Sequence, residues 1–305
     1  MMHTDTFSLT RLLMRMLALL MLLPSFAMAA QTLCATDSEG GKVCLAQPAA
    51  RIVALSPSAV EQLYAAGAGS QLMAAVDFSD YPDAARRLPS VGNSSRIDLE
   101  QLVARAPDLV VAGTSGNSPA QLRRLEQLGI KVLRLDPQHL DDIADDIEKL
   151  GLLSGHETAA RQQAQRFREG VAELRQRYAG RPQISTFYQV WDKPLITVNR
   201  RSIISEMITL CGGRNVFAQL APLAPRVSDE AVLTANPDAI VRSTSAEQHA
   251  FAHWQRYPQL NAVRFDNLIS LPADITQRAT PRLLDGAAQL CQQLDGARQH
   301  MAGAR

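Results

Sequence analysis

The sequence predicts an α/β protein of two Rossmann-like lobes, each built on a parallel-rich central sheet, joined by a single long rigid α-helix. Three observations predict it. Short apolar strands alternate with helices in both halves of the 305-residue chain, a rhythm that builds parallel sheets with helices on their faces. An unbroken helical pattern runs through the middle. A segment of the first half, Asp98-Leu-Glu100 through Pro107-Asp108, recurs in the second as Ser228-Asp-Glu230 through Pro237-Asp238. In each copy a polar cap opens a short helix, and Pro-Asp breaks it before a buried strand.

Length and composition agree. At roughly 100–200 residues per domain the chain suits two domains. Hydrophobic residues make up 46% and charged residues 20%, enough for a real core and against wholesale disorder. The net charge is +1 with no basic stripe, which argues against nucleic acid as a partner.

Arg11 and Arg15 precede an apolar run, Met16 to Phe26, and Ala27-Met28-Ala29 supplies small residues for cleavage. Residues 1–29 therefore read as a secretory signal peptide, too short in its apolar part to span a bilayer. Leu33 stands before Cys34, where a lipid-anchored cysteine needs a small neighbour. In an oxidising compartment four cysteines imply two disulfides. Cys34 and Cys44 flank a turn-rich stretch and suit a cross-hairpin bridge, which leaves Cys211 to pair with Cys291 over a long loop. A free nucleophilic thiol is the competing reading, with no His or Asn context to support it.

Residues 30–154 form the N-terminal lobe with this hairpin. Its strands are expected at Arg51–Leu55, Met73–Asp77, Asp108–Ala112 and Lys131–Leu135, its helices at Ala59–Ala66, Leu99–Ala106 and Pro119–Leu128, with Gly67 and Gly129 as C-terminal stops. Leu140, Ile143, Ile147 and Leu150 mark a further helix. Residues 155–180 are the linking helix: Ala160, Ala164, Phe167, Val171, Leu174 and Tyr178 recur at spacings of three and four on one face. Over 156–178 it would span about 34 Å before Gly180 and Pro182 end it. Residues 181–305 form the C-terminal lobe, with strands at Gln183–Gln189, Leu195–Val198, Asp238–Arg242 and Leu268–Leu271 and helices near Ser202–Leu210, Asp229–Ala235 and Pro281–Leu294. Glu61 precedes Gly67 by six residues, as Glu206 precedes Gly212. The halves thus read as related lobes facing each other across a cleft, a common place for a ligand.

No GxSxG elbow, P-loop or strand-following GxGxxG is present, and no CxxC or HExxH points to a metal. His139, His156, His249, His253 and His300 fall near loops, helix ends or surface helices and read as solvated side chains rather than bases. No enzyme is expected. The loops at the C-terminal ends of the strands should line the cleft. They carry Ser56-Pro57-Ser58, Phe78-Ser79-Asp80-Tyr81-Pro82, Gly113 to Asn117, Gln189 to Asp192 and Asp274-Ile275-Thr276-Gln277-Arg278. Aromatic plus neutral hydrogen-bonding groups suit a large, partly flat, polar-rimmed ligand better than a small ion. Phe78 and Trp191 either face that ligand or pack a lobe core. Glu100 and Glu230, in matching positions of the repeat, are favourable to their helix dipoles, and as two exposed acids also suit a two-fold partner with one arginine pocket per subunit.

These residues resemble the vitamin B12 (cobalamin) periplasmic binding proteins of ABC importers, within the helical-backbone class that also carries siderophores and haem. The resemblance lies in Arg51-Ile-Val-Ala-Leu-Ser-Pro57, Phe78-Ser-Asp-Tyr-Pro82, Asp98-Leu-Glu100, Ala106-Pro-Asp-Leu-Val-Val111, Leu128-Gly-Ile-Lys-Val132, Leu210-Cys-Gly-Gly213, Asn215-Val-Phe217, Val227-Ser-Asp-Glu230 and Arg278-Ala-Thr-Pro-Arg282. It implies little closure on binding and no catalysis. It puts an aromatic against the corrin ring at Phe78 and a second ligand-contacting loop at Ile275 to Ala279. Glu100 and Glu230 would dock onto arginines of the permease, and Cys211–Cys291 would be a family disulfide. The ligand set is then Ser56, Pro57, Phe78, Tyr81, Trp191, Asp274, Ile275, Thr276, Gln277, Arg278 and Ala279. Partners are a corrinoid and an inner-membrane ABC permease dimer with its cytoplasmic ATPase. The chain itself would be a periplasmic monomer with no cofactor of its own, the corrinoid being cargo. Ser94 and Ile275 depart from tryptophans of the familiar cobalamin binder, and Trp191 stands ready to replace part of that wall. The alternative cargo is haem or a ferric siderophore. Haem would need a ligand such as Tyr81 or Tyr188, and an anionic siderophore would need clustered arginines.

Overall fold

A computed structural model describes residues 32–244 and 251–303. The expected signal peptide at 1–29 and His249 lie outside the described residues.

The chain opens with the expected hairpin. β1 (Leu33–Thr36) pairs antiparallel with β2 (Lys42–Leu45), with Cys34 directly opposite Cys44 and bridged to it. β3 (Ile52–Ala54), α1 (Pro57–Ala65), β4 (Leu72–Ala75), the small ribbon of β5 (Gly92–Asn93) and β6 (Arg96–Ile97), α2 (Leu99–Ala104), β7 (Leu109–Gly113), α3 (Pro119–Gln127) and β8 (Val132–Leu135) follow. The sheet is all parallel, in the order β4-β3-β7-β8. Then come α4 (Leu140–Ser154) and α5 (Glu157–Tyr178). The second half holds β9 (Ile184–Gln189), a ribbon of β10 (Trp191–Asp192) and β11 (Leu195–Ile196), α6 (Ile203–Leu210), β12 (Gly213–Asn215), α7 (Asp229–Ala235), β13 (Ala239–Thr244), α8 (Asn261–Arg264), β14 (Leu268–Pro272), α9 (Ala273–Thr276) and α10 (Leu283–Gly303). Its sheet is also all parallel, in the order β12-β9-β13-β14.

Counted within each half, both sheets therefore run 2-1-3-4, and the sequence repeat corresponds to a repeat of topology. One strand expectation needs correction. Leu195–Val198 does not join the main sheet: Leu195 and Ile196 pair with Asp192 and Trp191 in the small ribbon. The edge place belongs to β12, whose Gly-Arg-Asn sequence carries no strand signal and which pairs with β9 from Gly213↔Ile184 to Asn215↔Thr186.

Both sheets are covered on their two faces, which explains the largely apolar strands β3, β4 and β7 and the apolar residues of β9 and β13. Ile52, Ala54, Leu109 and Val111 face one cluster, and Val53, Leu55, Val110 and Ala112 another. In the second sheet Ile184, Tyr188 and Val241 join the first cluster, while Phe187 and Ile240 turn to a third. The first cluster is shared by both halves. It includes the predicted face of α5, Ala160 through Tyr178, so the linking helix packs on α4 from one side and on α6 and α10 from the other. At 22 residues α5 is about 33 Å long. The turn into it is made by Gly155 at φ 79°, a left-handed C-cap. Because the spar is part of the core, the chain from Thr32 onward packs as one unit. The second disulfide, Cys211–Cys291, ties the end of α6 to α10.

Candidate functional site

A parallel sheet in 2-1-3-4 order has its switch point between strands 1 and 3, and the crevice beyond their C-terminal ends is the natural ligand site. In the first sheet that point lies past β3 and β7. A cavity of about 320 Å³ opens there, lined by Ser56, Ser58 and Ala59 after β3 and by Gly113, Ser115 and Gly116 after β7. Asp136 to Gln138 after β8 close one side, and Ser202 to Ile204, Leu223, Gln277 and Ala279 reach in from the other half. The cavity is therefore built by both halves. A larger one, about 490 Å³, sits past β9 and β13 beside Gln189, Asp192, Ser228, Asp229 and Arg242, wholly within the second half.

Local structure fixes the lining. Ser56 is the N-cap of α1, its Oγ accepting from the Ala59 N–H at 3.1 Å, with Pro57 at N1. Asn117 is buried and knits three loops: its Nδ2 donates to the Leu55 and Ser94 carbonyls at 2.8 and 2.7 Å, and its Oδ1 accepts from Gly113 N at 2.8 Å. Gln62 Nε2 donates across the cleft to the Ala279 carbonyl at 2.8 Å.

The densest link between the halves is ionic. Glu61, on α1, is buried and takes Arg278 Nη1 at 3.0 Å, Arg282 Nη2 at 2.7 Å and Arg282 Nε at 2.9 Å. Arg278 also reaches Asp80 at 2.9 Å, Asp274 at 3.0 Å and the Phe78 carbonyl at 3.4 Å. Burial works against the Arg278 charge, but the hydrogen bonds to Asp80 and Glu61 outweigh it and raise its pKa further. The hydrogen bond from Arg278 in turn holds Asp80 below the usual carboxylate range. Arg282 lies 3.9 Å over the Tyr81 ring. On the far side Glu206 of α6 accepts from the N–H of Leu140, the first residue of α4, at 2.9 Å. The two repeat-related glutamates thus each cross from one half to the other.

Of the expected ligand residues, Ser56, Gln277 and Ala279 line the cavity. Phe78 and Trp191 do not pack a core: they are 80% and 61% exposed, and neither they nor the exposed Tyr81 lines the cavity. Phe78 holds φ 64°, a region bulky residues avoid. Asp274 and Ile275 lie in α9 and Arg278 just beyond it, and none of the three lines the cavity. Thr276 is fully buried, with Oγ1 bonded to the Pro272 carbonyl at 2.7 Å and Ser243 Oγ at 2.6 Å. Tyr188 is buried on the same chain of hydroxyls, and burial raises its pKa. His139, His253 and His300 are exposed but not merely solvated: they contact Glu206, Asp229 and Asn267. His156 is half-buried against the Ser154 carbonyl. The expectation missed Asp136 to Gln138, which follow the C-terminal end of β8 and so fall under the same strand-end rule as the other loops, and Glu61. Among the described residues no group of three or more His, Cys, Asp or Glu is placed to hold a metal ion.

Glu100 and Glu230 are both the second residue of their short helices. Asp98 caps the first through Gln101 N at 3.0 Å, and Ser228 the second through Ala231 N at 3.3 Å. Both acids are exposed, and a hydrogen bond from Ser228 lowers the Glu230 pKa.

Comparison with known proteins adds four findings. The family model described as periplasmic binding protein matches residues 52–275. Vitamin B12-binding proteins of Yersinia pestis and Yersinia pseudotuberculosis are 41% identical over 251 residues, 82% of this chain and 88% of theirs. The crystal structure of the periplasmic vitamin B12 binding protein BtuF of Vibrio cholerae superposes with a TM-score of 0.76 at 40% identity, covering 82% of this chain and 98% of that one. The periplasmic heme-binding protein RhuT from Roseiflexus shares the fold, with a TM-score of 0.73 at 20% identity over 81% of this chain and 98% of its own.

Proposed function

The chain belongs to the periplasmic binding protein family, and from that premise we propose that it captures cobalamin or a related corrinoid between its two lobes and delivers it to an inner-membrane ABC transporter. The observation that carries this reading is the 41% identity to vitamin B12-binding proteins along 82% of the chain. The geometry supports it. The cavity lining mixes hydroxyl and amide side chains with apolar ones, among them Leu135, Ile203, Ile204 and Leu223, and Asp136 is its charged side chain, a combination that suits the apolar face and peripheral amides of a corrin. Phe78, Tyr81 and Trp191 stand exposed beyond the cavity and would extend the contact face for a disc wider than it. Removing apolar faces from water at about 25 cal/mol per Å² supplies the driving force, and a cleft braced by Glu61, Gln62 and Glu206 limits the ordering cost.

In this reading residues 30–154 and 181–305 are the lobes, 155–180 is the spar, and the chain acts in the periplasm after loss of residues 1–29. Glu100 and Glu230 dock on the permease. The chain binds and does not turn over its cargo. Haem or a ferric siderophore has less support: Tyr188 is buried, and the haem relative named above is 20% identical. Calorimetry with cyanocobalamin, cobinamide and haemin side by side tests the assignment. A corrinoid should bind saturably at one per chain, and absence of corrinoid binding at high micromolar concentration overturns it.

A further inference from the structure

We propose that Glu61 sets the charge selectivity of the cleft: by holding Arg278 and Arg282 away from the ligand, it makes the cleft accept a neutral, amide-decorated macrocycle and reject one bearing free carboxylates. The proposal rests on the corrinoid reading and deepens it.

Arg278 lies between Gln277 and Ala279, both of which line the cavity. An arginine so placed, with its fork free, would recruit a carboxylate in bidentate fashion. Here the fork is spent. Glu61 bonds both guanidinium groups at 2.7–3.0 Å, and Asp80 and Asp274 take Arg278 at 2.9 and 3.0 Å. Three carboxylates thus face two guanidiniums, and the cluster offers an anion no net attraction.

Position makes Glu61 the decisive member. Its side chain is 2% exposed, whereas those of Asp80 and Asp274 are 46% and 53% exposed. A haem-like tetrapyrrole brings two propionates. To pair with these arginines they would have to displace Glu61, leaving a buried carboxylate uncompensated, which is strongly unfavourable. A corrinoid bearing amides makes no such demand, since each amide both donates and accepts. Rejection by an unpaired buried charge is a familiar source of specificity.

The test is the ratio of haemin affinity to cyanocobalamin affinity in wild type, Glu61→Gln, and Glu61→Gln combined with Asp80→Asn. Glu61→Gln keeps the shape and removes the charge. The ratio should rise at least about tenfold in Glu61→Gln, rise again in the double variant, and shrink as salt screens the freed arginines. A purely structural Glu61 would weaken both ligands together, so an unchanged ratio, or a rise that salt does not reduce, overturns the proposal. If Glu61→Gln does not fold, Asp80→Asn alone, at an exposed position, is read the same way with the same two outcomes. Wild-type protein that binds no cyanocobalamin overturns the corrinoid reading instead, a result the variants' haemin titrations do not depend on.

Discussion

At the scale of single residues, close approach and burial decide the sharpest outcomes. Gly286 of α10 faces the backbone of the ligand-loop candidate: a Cβ there would lie 2.0 Å from the Ile275 carbonyl oxygen. Alanine is the better helix former by about 1 kcal/mol, yet the clash involves backbone and has no flexible end to yield. Gly286→Ala should therefore destabilise the protein by about 1–3 kcal/mol, read by thermal unfolding, and should weaken cyanocobalamin binding through the displaced loop; a rise in Tm would contradict this. Asp146 is buried in α4, and burial pushes its pKa up from 3.8 to about 6 despite its bond to Lys149. The folded state thus holds this proton more tightly than the unfolded one. Stability from this group is full below pH 4 and is lost as pH rises through 6, by about 3 kcal/mol in all. Asp146→Asn should flatten that decline in urea titrations taken from pH 4 to 7. Neither residue could be singled out from sequence, because a close approach over 11 positions and the burial of one acid among many leave no pattern.

At the scale of elements, the repeat is the informative feature. α2 and α7 present Glu100 and Glu230 at the same helical position after matching caps. Glu100→Ala with Glu230→Ala should leave cyanocobalamin affinity intact and impair uptake in cells; normal uptake would remove the docking role. The disulfide between α6 and α10 closes a sequence span of 80 residues, for which loop-closure entropy gives about 4.5 kcal/mol. Cys211→Ala with Cys291→Ala should lower the denaturation midpoint accordingly, whereas loss of Cys34–Cys44, spanning 10 residues, should cost less. Most elements were legible because they carry a period: α5 shows its buried face letter by letter, and Pro-Asp marks the start of β7 and β13. β12 was not legible, since three residues at a sheet edge gain their conformation from the pairing with β9 rather than from their own preference. Leu195–Val198 misled for the opposite reason, being strand-like in composition and diverted into a ribbon.

At the scale of the whole molecule, two lobes of one topology share a core through α5, and Glu61 and Glu206 tie them again on either side. In the proposed reading such a body would hold its cleft open rather than hinge widely. The lining at Ser56, Gly113, Ser115 and Gly116 lies where strand order directs. The ionic link did not, because residues 61 and 278 are joined only by the fold, and the outward placement of Phe78 and Trp191 depends on packing that composition does not reveal. In the proposed reading the cargo sits past β3 and β7, between the lobes. Gly113 lines that space, and a Cβ there meets nothing nearer than 3.9 Å, so Gly113→Phe should fold and fill the cavity. Titration of wild type and Gly113→Phe with cyanocobalamin is the most direct measurement. Wild type should show one site per chain and Gly113→Phe a loss of at least about 100-fold; equal affinity in the two would place the ligand elsewhere.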